Sequence, residues 1–301
     1  MKTRKRLIAA AAILAIAAPV ALATGNVING TDGEDKIQGT EKRDIVYAKG
    51  GNDIVNTLGG HDGVRAGSGN DTVNGGNGRD RIGGGEGEDS LSGGYGRDRI
   101  WGGADNDTIS GGKHRDRLYG NQGDDTVNGN EGRDHIRGGP GDDILNGDAH
   151  RDKILGGADN DTINGGNGRD YAHGGSGNDT IDGGRHRDHV RGGSGDDSVS
   201  GGAGHDRIFL GHGTDKGDGG AGNDRIWSRA NDGQVDTITC GDGFDRAYIN
   251  NEDVVDATCE VVRRAPANKS EPKKRPAKDR PAKGEKPEST KGAPATERPA
   301  A

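Results

Sequence analysis

From Asp35 onward the chain repeats a nine-residue pattern in which apolar positions are sparse and regular. Asp recurs every nine residues without a slip to Asp224, through 22 units, and then at Asp236 and Asp245 after a three-residue insertion. Two residues beyond each Asp stands an aliphatic side chain, from Ile37, Val46 and Val55 to Ile226. Among the 22 units only Ala172 and Gly217 depart from this. Polar residues mostly flank the aliphatic. The last three residues of the unit therefore predict a short strand with one inward side chain. The first six, G-G-x-G-x-D, predict a tight turn in which glycine permits a positive φ and bares backbone carbonyls. The non-glycines at position four support this. Apart from Lys42 they are Asp105, His114, His150, Asp159 and His186, types that tolerate the left-handed region better than most. A three-residue strand cannot stand alone. Stacked coils of two units each bury the aliphatics between two parallel sheets, so the expected fold is all-β, a two-sheet parallel β-solenoid. Twenty-two units give about eleven coils, roughly 50 Å at strand spacing.

Composition sharpens the picture. Of 301 residues, 60 are glycine, and 49 of these fill turn positions one, two and four. Leu, Ile, Val and Phe together make up about 15% of the chain, a share that normally indicates disorder. A large enzyme core is excluded, and no nucleophile–base pair stands out from the periodic Ser, His and Asp. Residues 7–262 hold 44 acidic and 25 basic residues. Such a body repels itself unless cations neutralise it; a disordered acidic chain is the alternative. Ca²⁺ takes six to eight oxygens from carboxylates and carbonyls, and stacked turns that each offer glycine carbonyls and one Asp supply them. Mg²⁺ suits such turns less, since it prefers to keep its waters. The candidate ligands are Asp71, Asp80, Asp89, Asp98, Asp107, Asp116, Asp125, Asp134, Asp143, Asp152, Asp161, Asp170, Asp179, Asp188, Asp197, Asp206 and Asp224. Carbonyls of Gly75, Gly93, Gly138, Gly174, Gly192, Gly201 and Gly219 join them. The gaps between coils allow at most about twenty Ca²⁺ ions, and metal binding and folding should be coupled.

Successive units alternate in type. Position five is Asn, Asp or Glu in one set, as in Asn52, Asn70, Asp124 and Asp196, and Arg or His in the other, as in Arg79, Arg97, Arg115 and His205. One sheet should show Thr and Asn outward. The other should show Arg81, Arg99, Arg117, Arg207 and Arg225 beside Trp101, Tyr119, Phe209 and Trp227. These residues suit the outer face of a strand and form cross-strand ladders, with position-five Arg pairing to a neighbouring Asp. They also compose a face that could hold an anionic glycan, a cell-wall polymer or a nucleic acid, although no nucleic-acid motif is present. The flat Thr/Asn ladder could bind ice or polysaccharide. Three His-Arg-Asp triplets, at His114, His150 and His186, imitate a kinase catalytic loop. They lie in repeat register with no nucleotide lobe and read as substituted turns.

The ends differ from the body. Residues 1–23 read as a secretory signal peptide: a basic start, an apolar run from Leu7 to Val20 and the A-x-A signal Ala21-Leu22-Ala23. An uncleaved membrane anchor is the alternative reading. No later segment could span a membrane. Residues 24–227 would form the repeat body. Residues 228–262 would hold the last repeats and a cap in which Cys240 and Cys259 form one disulfide in an oxidising compartment. Residues 263–301, rich in Pro, Lys, Ala and Glu, read as a disordered basic tail. The chain is thus expected to be extracellular, with a possible place at the cell surface.

In-register copies of G-G-x-G-x-D-x-U-x, such as Gly75–Gly83 and Gly192–Ser200, resemble the repeats-in-toxin, or haemolysin-type calcium-binding, β-roll proteins over residues 30–227 and weakly over 231–248. The resemblance implies that each turn is half a Ca²⁺ site, completed 18 residues away, as between Asp80 and Asp98, Asp179 and Asp197, or Asp206 and Asp224. It also implies Ca²⁺-induced folding outside the cell. No protease, lipase or toxin domain is left over. The end, Cys240 through Glu260, is similar to that of small secreted actinobacterial members. The early units with Lys42, Lys49 and Leu58, and the stretch Leu210–Asp218, break the glycine pattern and put their own sites in doubt.

Overall fold

The computed structural model describes residues 26–228 and 232–265; the leader and almost all of the tail named above lie outside them. All regular structure among these residues is β-strand. Fourteen parallel strands, from Asn26–Asn29 to Val261–Arg264, form one long sheet, here the arginine sheet. Thirteen, from Lys36–Gln38 to Val254–Val255, run in order through a second, the threonine sheet. Members of the two long sheets alternate along the chain, with two-residue strands in some of the turns between them, so the chain winds as a solenoid with one strand of each long sheet per coil. The register step is 18 residues, as in Arg99 beside Arg117 and Thr108 beside Thr126. The insertion lengthens one coil, pairing Arg225 with Arg246 and Lys216 with Thr237. Strands continue on both sides of the 22 units, which is why the arginine sheet exceeds eleven members.

The core is a single file from each sheet. Ile82, Ile100, Leu118, Ile136 and Ile154 on one side meet Leu91, Ile109, Val127, Leu145 and Ile163 on the other, all fully buried. Burying each such side chain contributes about 1.5–3 kcal/mol. Position one of the turn also faces inward, which the repeat pattern alone did not reveal. Ala48, Ala66 and Leu210 are buried there. Leu210 explains the exception at Gly217: a Cβ on Gly217 would meet Leu210 Cδ2 at 2.9 Å. The larger side chain at position one fills the space that the missing aliphatic leaves.

The turns carry the expected backbone. Asp105, His114, His150, Asp159 and His186 all have positive φ, between 71° and 83°. Lys49 and Leu58 at position two do so as well. Close stacking of the coils imposes this conformation even where glycine is missing. The Cys240–Cys259 disulfide forms across the last coils, with the two Cα atoms 5.1 Å apart.

Candidate metal centre

Each repeat Asp occupies the same place, at the foot of a turn and just before a strand. All seventeen candidate Asp residues from Asp71 to Asp224 are buried, none more than 3% exposed. Their carboxylates stack along the axis in two columns, one per edge of the solenoid. In each column the backbone N–H of one Asp donates to Oδ1 of the Asp 18 residues later, at 2.8 Å for Asp80 to Asp98 and 2.7 Å for Asp134 to Asp152. One carboxylate oxygen is thus used to join coils.

The other oxygen is stranded. Oδ2 of all seventeen is buried without a hydrogen-bond partner. The same holds for Asp53, Asp62 and Asp215, which the broken glycine pattern had set aside, and for Asp245, beyond the insertion. Ionised carboxylate oxygen left without a partner inside a protein is strongly unfavourable. Burial is the main reason these carboxyl groups titrate high: Asp152 is pushed up to about 9, Asp116, Asp161 and Asp188 to about 8, and Asp80 and Asp134 to about 7. Repulsion from the neighbouring Asp in the column adds to this at Asp152 and Asp116.

What surrounds Oδ2 fits a hard cation. A Cβ placed on Gly75 would sit 2.9 Å from Asp80 Oδ2 and 2.8 Å from the carbonyl oxygen of Gly93, the equivalent residue of the next coil. On Gly93 it would meet Asp98 Oδ2 and the Gly111 carbonyl, both at 2.7 Å. Gly138, Gly174, Gly192, Gly201 and Gly219 stand in the same relation to the Oδ2 of their own units. The absent side chain at position one therefore leaves a cradle between coils, walled by one carboxylate oxygen and glycine carbonyls. Among the described residues no three carboxylate, imidazole or thiolate side chains converge. A cation here would depend on carbonyls as much as on Asp, which favours Ca²⁺ over metals that seek nitrogen or sulfur.

The two ends are built differently. In the first coil Thr31 and Thr40 replace the second glycine. Thr31 donates its N–H and its hydroxyl to Asp35 Oδ2, at 2.6 and 3.0 Å. Thr40 does the same for Asp44 Oδ2, at 2.7 and 3.1 Å. At the far end Ser228 Oγ and the Asn250 N–H donate to Asp253 Oδ2, and Glu260 Oε2 accepts the Asp245 N–H that a further repeat Asp would take, at 2.7 Å.

The alternation of unit types also has a structural counterpart. On the edge leading into the threonine sheet, position-five side-chain oxygens accept the N–H of the next coil, as Asn52 does from Asn70 (2.9 Å) and Asp124 from Asp142 (2.8 Å). On the opposite edge stand Arg79, Arg97, Arg115, Arg133, Arg151, Arg169 and Arg187. Arg81, Arg99, Arg117, Arg207 and Arg225 begin strands of the adjoining sheet. Trp101 stacks on Tyr119 (5.9 Å), Phe209 on Trp227 (4.5 Å) and Trp227 on Tyr248 (5.2 Å). Tyr248 was not singled out from the repeat because the insertion moves it off the 18-residue step. Among the described residues no Arg from Arg79 to Arg225 forms an ion pair; the pairs Lys113–Glu131 and His212–Asp232 lie elsewhere.

A family model described as the RTX calcium-binding nonapeptide repeat matches the chain in ten overlapping segments from residue 29 to residue 226, including 29–64, 92–127 and 191–226. No curated protein matches as a relative.

Proposed function

This chain belongs to the RTX calcium-binding nonapeptide-repeat family, and on that premise we propose that it is a secreted, non-enzymatic β-roll that folds upon binding multiple Ca²⁺ ions. The observation that carries this is the double column of stranded carboxylate oxygens, ten on one edge and eleven on the other. Asp Oδ2 and the glycine carbonyls beside it would hold the ions, and successive carboxylates along the two columns define about twenty positions for them. Bound calcium supplies the positive charge that these buried oxygens lack. The residues do the rest: Asp Oδ1 ties coil to coil, and glycine at position one keeps the cradle open. Without cations the columns favour the unfolded chain, in which each carboxylate is hydrated. Secretion is supported by the disulfide, which persists in oxidising compartments, and by the leader read in residues 1–23. The non-enzymatic reading is supported by the family, whose role is characteristically structural calcium binding.

The experiment is equilibrium dialysis against Ca²⁺ followed by metal analysis of the folded protein. Binding of many ions per chain, approaching twenty, supports this reading. Binding of none or one at millimolar Ca²⁺ refutes it. A second reading, a calcium-stabilised module that binds an anionic polymer, is favoured by the Arg columns, in which no residue from Arg79 to Arg225 forms an ion pair among the described residues.

A further inference from the structure

The edge occupied by Asn and Asp on one side of the solenoid shows what position five does for stability: each side chain supplies a rung between coils. Arg has no acceptor atom and cannot supply that rung. Seven successive coils nevertheless place Arg there, from Arg79 to Arg187. A second line of basic side chains runs beside it, two residues further along each unit: Arg81, Arg99, Arg117, Lys153, and later Arg207, Arg225 and Arg246, interrupted at His135, which burial and the neighbouring Arg115 hold toward its neutral form. The two lines border one string of clefts. A cleft of about 490 Å³ between Arg115, Arg133 and Arg151 shares Arg151 with the next, of about 270 Å³. That one shares Arg187 and Arg207 with a third, also about 270 Å³, which reaches Arg246. The cations recur at the strand spacing of about 4.8 Å.

From this geometry we propose that the paired cation columns form an extended groove for a linear acidic polysaccharide, and that calcium binding in the turns below switches this groove on. The proposal rests on the calcium reading above for its switch, not for its groove. Charge complementarity selects a polyanion. The columns follow a straight stack of coils, so they suit an extended chain rather than the winding backbones of a duplex. Stacked bases are disfavoured because Phe209, Trp227 and Tyr248 spend their ring faces on one another, whereas single-stranded nucleic acid needs open aromatic faces. The switch follows from what lies beneath. Arg115, Arg151 and Arg187 stand close enough to the buried Asp134, Asp170 and Asp206 to interact with their charge. Cation binding at those Asp residues cancels the negative charge that opposes a polyanion and leaves the Arg side chains uncompensated.

The test is fluorescence anisotropy of labelled heparin oligosaccharides with the full-length protein, in Ca²⁺ and in chelator. Binding should tighten with oligosaccharide length, weaken with salt and fall sharply on chelation. The quadruple variant Arg115→Gln, Arg133→Gln, Arg151→Gln, Arg169→Gln should bind roughly tenfold or more weakly. Lys36→Gln with Lys216→Gln, on the threonine sheet, should bind as the wild type does. Circular dichroism in Ca²⁺ confirms that each variant folds, and the basic tail is common to all of them. Equal heparin affinity of the folded quadruple variant and the wild type would overturn the groove. Tighter binding of single-stranded DNA of matched charge would overturn the choice of ligand. Equal affinity with and without Ca²⁺ in a chain that does fold on Ca²⁺ would overturn the switch. If the chain folds without Ca²⁺, the calcium reading fails and the switch with it; the quadruple variant still decides the groove.

Discussion

The first coil and the coils that follow it use the same Asp in the same turn, yet they solve its burial in different ways. Asp35 and Asp44 have Oδ2 engaged, because Thr31 and Thr40 donate to it. From Asp53 to Asp224 glycine stands at position two or the backbone adopts a positive φ there, position two carries no hydroxyl, and Oδ2 is left without a hydrogen-bond partner. Thr carries its own donor and can satisfy the carboxylate within the chain. Glycine can only provide room, and the room must be filled by something with positive charge. On the proposed function, the end coil holds without metal and the interior awaits it.

Mutating the two regions in parallel should break the comparison most sharply. Asp134→Ala with Asp152→Ala removes two interior carboxylates, and the loss in saturating Ca²⁺ should be about 3 kcal/mol or more, since each well-occupied site contributes on that scale. Bound calcium should fall as well. Asp35→Ala with Asp44→Ala should cost about 1–2 kcal/mol, the worth of the hydrogen bonds, and leave the calcium count unchanged. Denaturant unfolding paired with metal analysis distinguishes the two.

Asp152→Asn should reverse sign with conditions. It removes a carboxyl group that, without metal, folding must either bury charged or protonate, so the chelated chain should gain about 1–3 kcal/mol. In Ca²⁺ the same change should weaken folding, because a ligand charge is lost. Destabilisation of equal size in both buffers would mean that the interior carboxylates are not awaiting a cation.

The third expectation concerns pH. The interior carboxyl groups have folded-state values raised above the ordinary 3.8, to about 6 at Asp98 and Asp224 and about 9 at Asp152. The folded chain thus holds more protons than the unfolded one over that interval, so stability falls as pH rises. In chelator, structure should be fullest below about pH 4 and be lost as pH climbs through 6 to 9. In Ca²⁺ the trend should invert, since protons compete with the ion. Circular dichroism across pH in the two buffers reads both slopes. The smallest effect belongs to the hydroxyls: Thr31→Ala and Thr40→Ala should each cost about 1 kcal/mol, with no change in calcium bound.

Much of this was legible beforehand. The spacing of Ile, Val and Leu revealed two sheets, and the 18-residue alternation correctly divided Arg81, Trp101 and Phe209 from Thr72 and Thr108. Two things were hidden, for physical reasons. Departures from glycine at Lys49, Leu58 and Leu210 suggested failed sites, but stacking between neighbouring coils enforces the turn, and Asp53, Asp62 and Asp215 are stranded like the others. Conversely, nothing in the repeat pattern set Thr31 and Thr40 apart. Only their position over Oδ2 reveals that a hydroxyl there supplies the partner that the other turns lack.

The most direct measurement is far-ultraviolet circular dichroism at neutral pH, with Ca²⁺ titrated into chelated protein. The stranded carboxylates predict a coil spectrum in chelator that converts cooperatively to a strand spectrum by millimolar Ca²⁺ and reverts when chelator is restored. A spectrum that does not change across that range, whether coil or strand, would contradict the claim that calcium and fold are coupled in this chain.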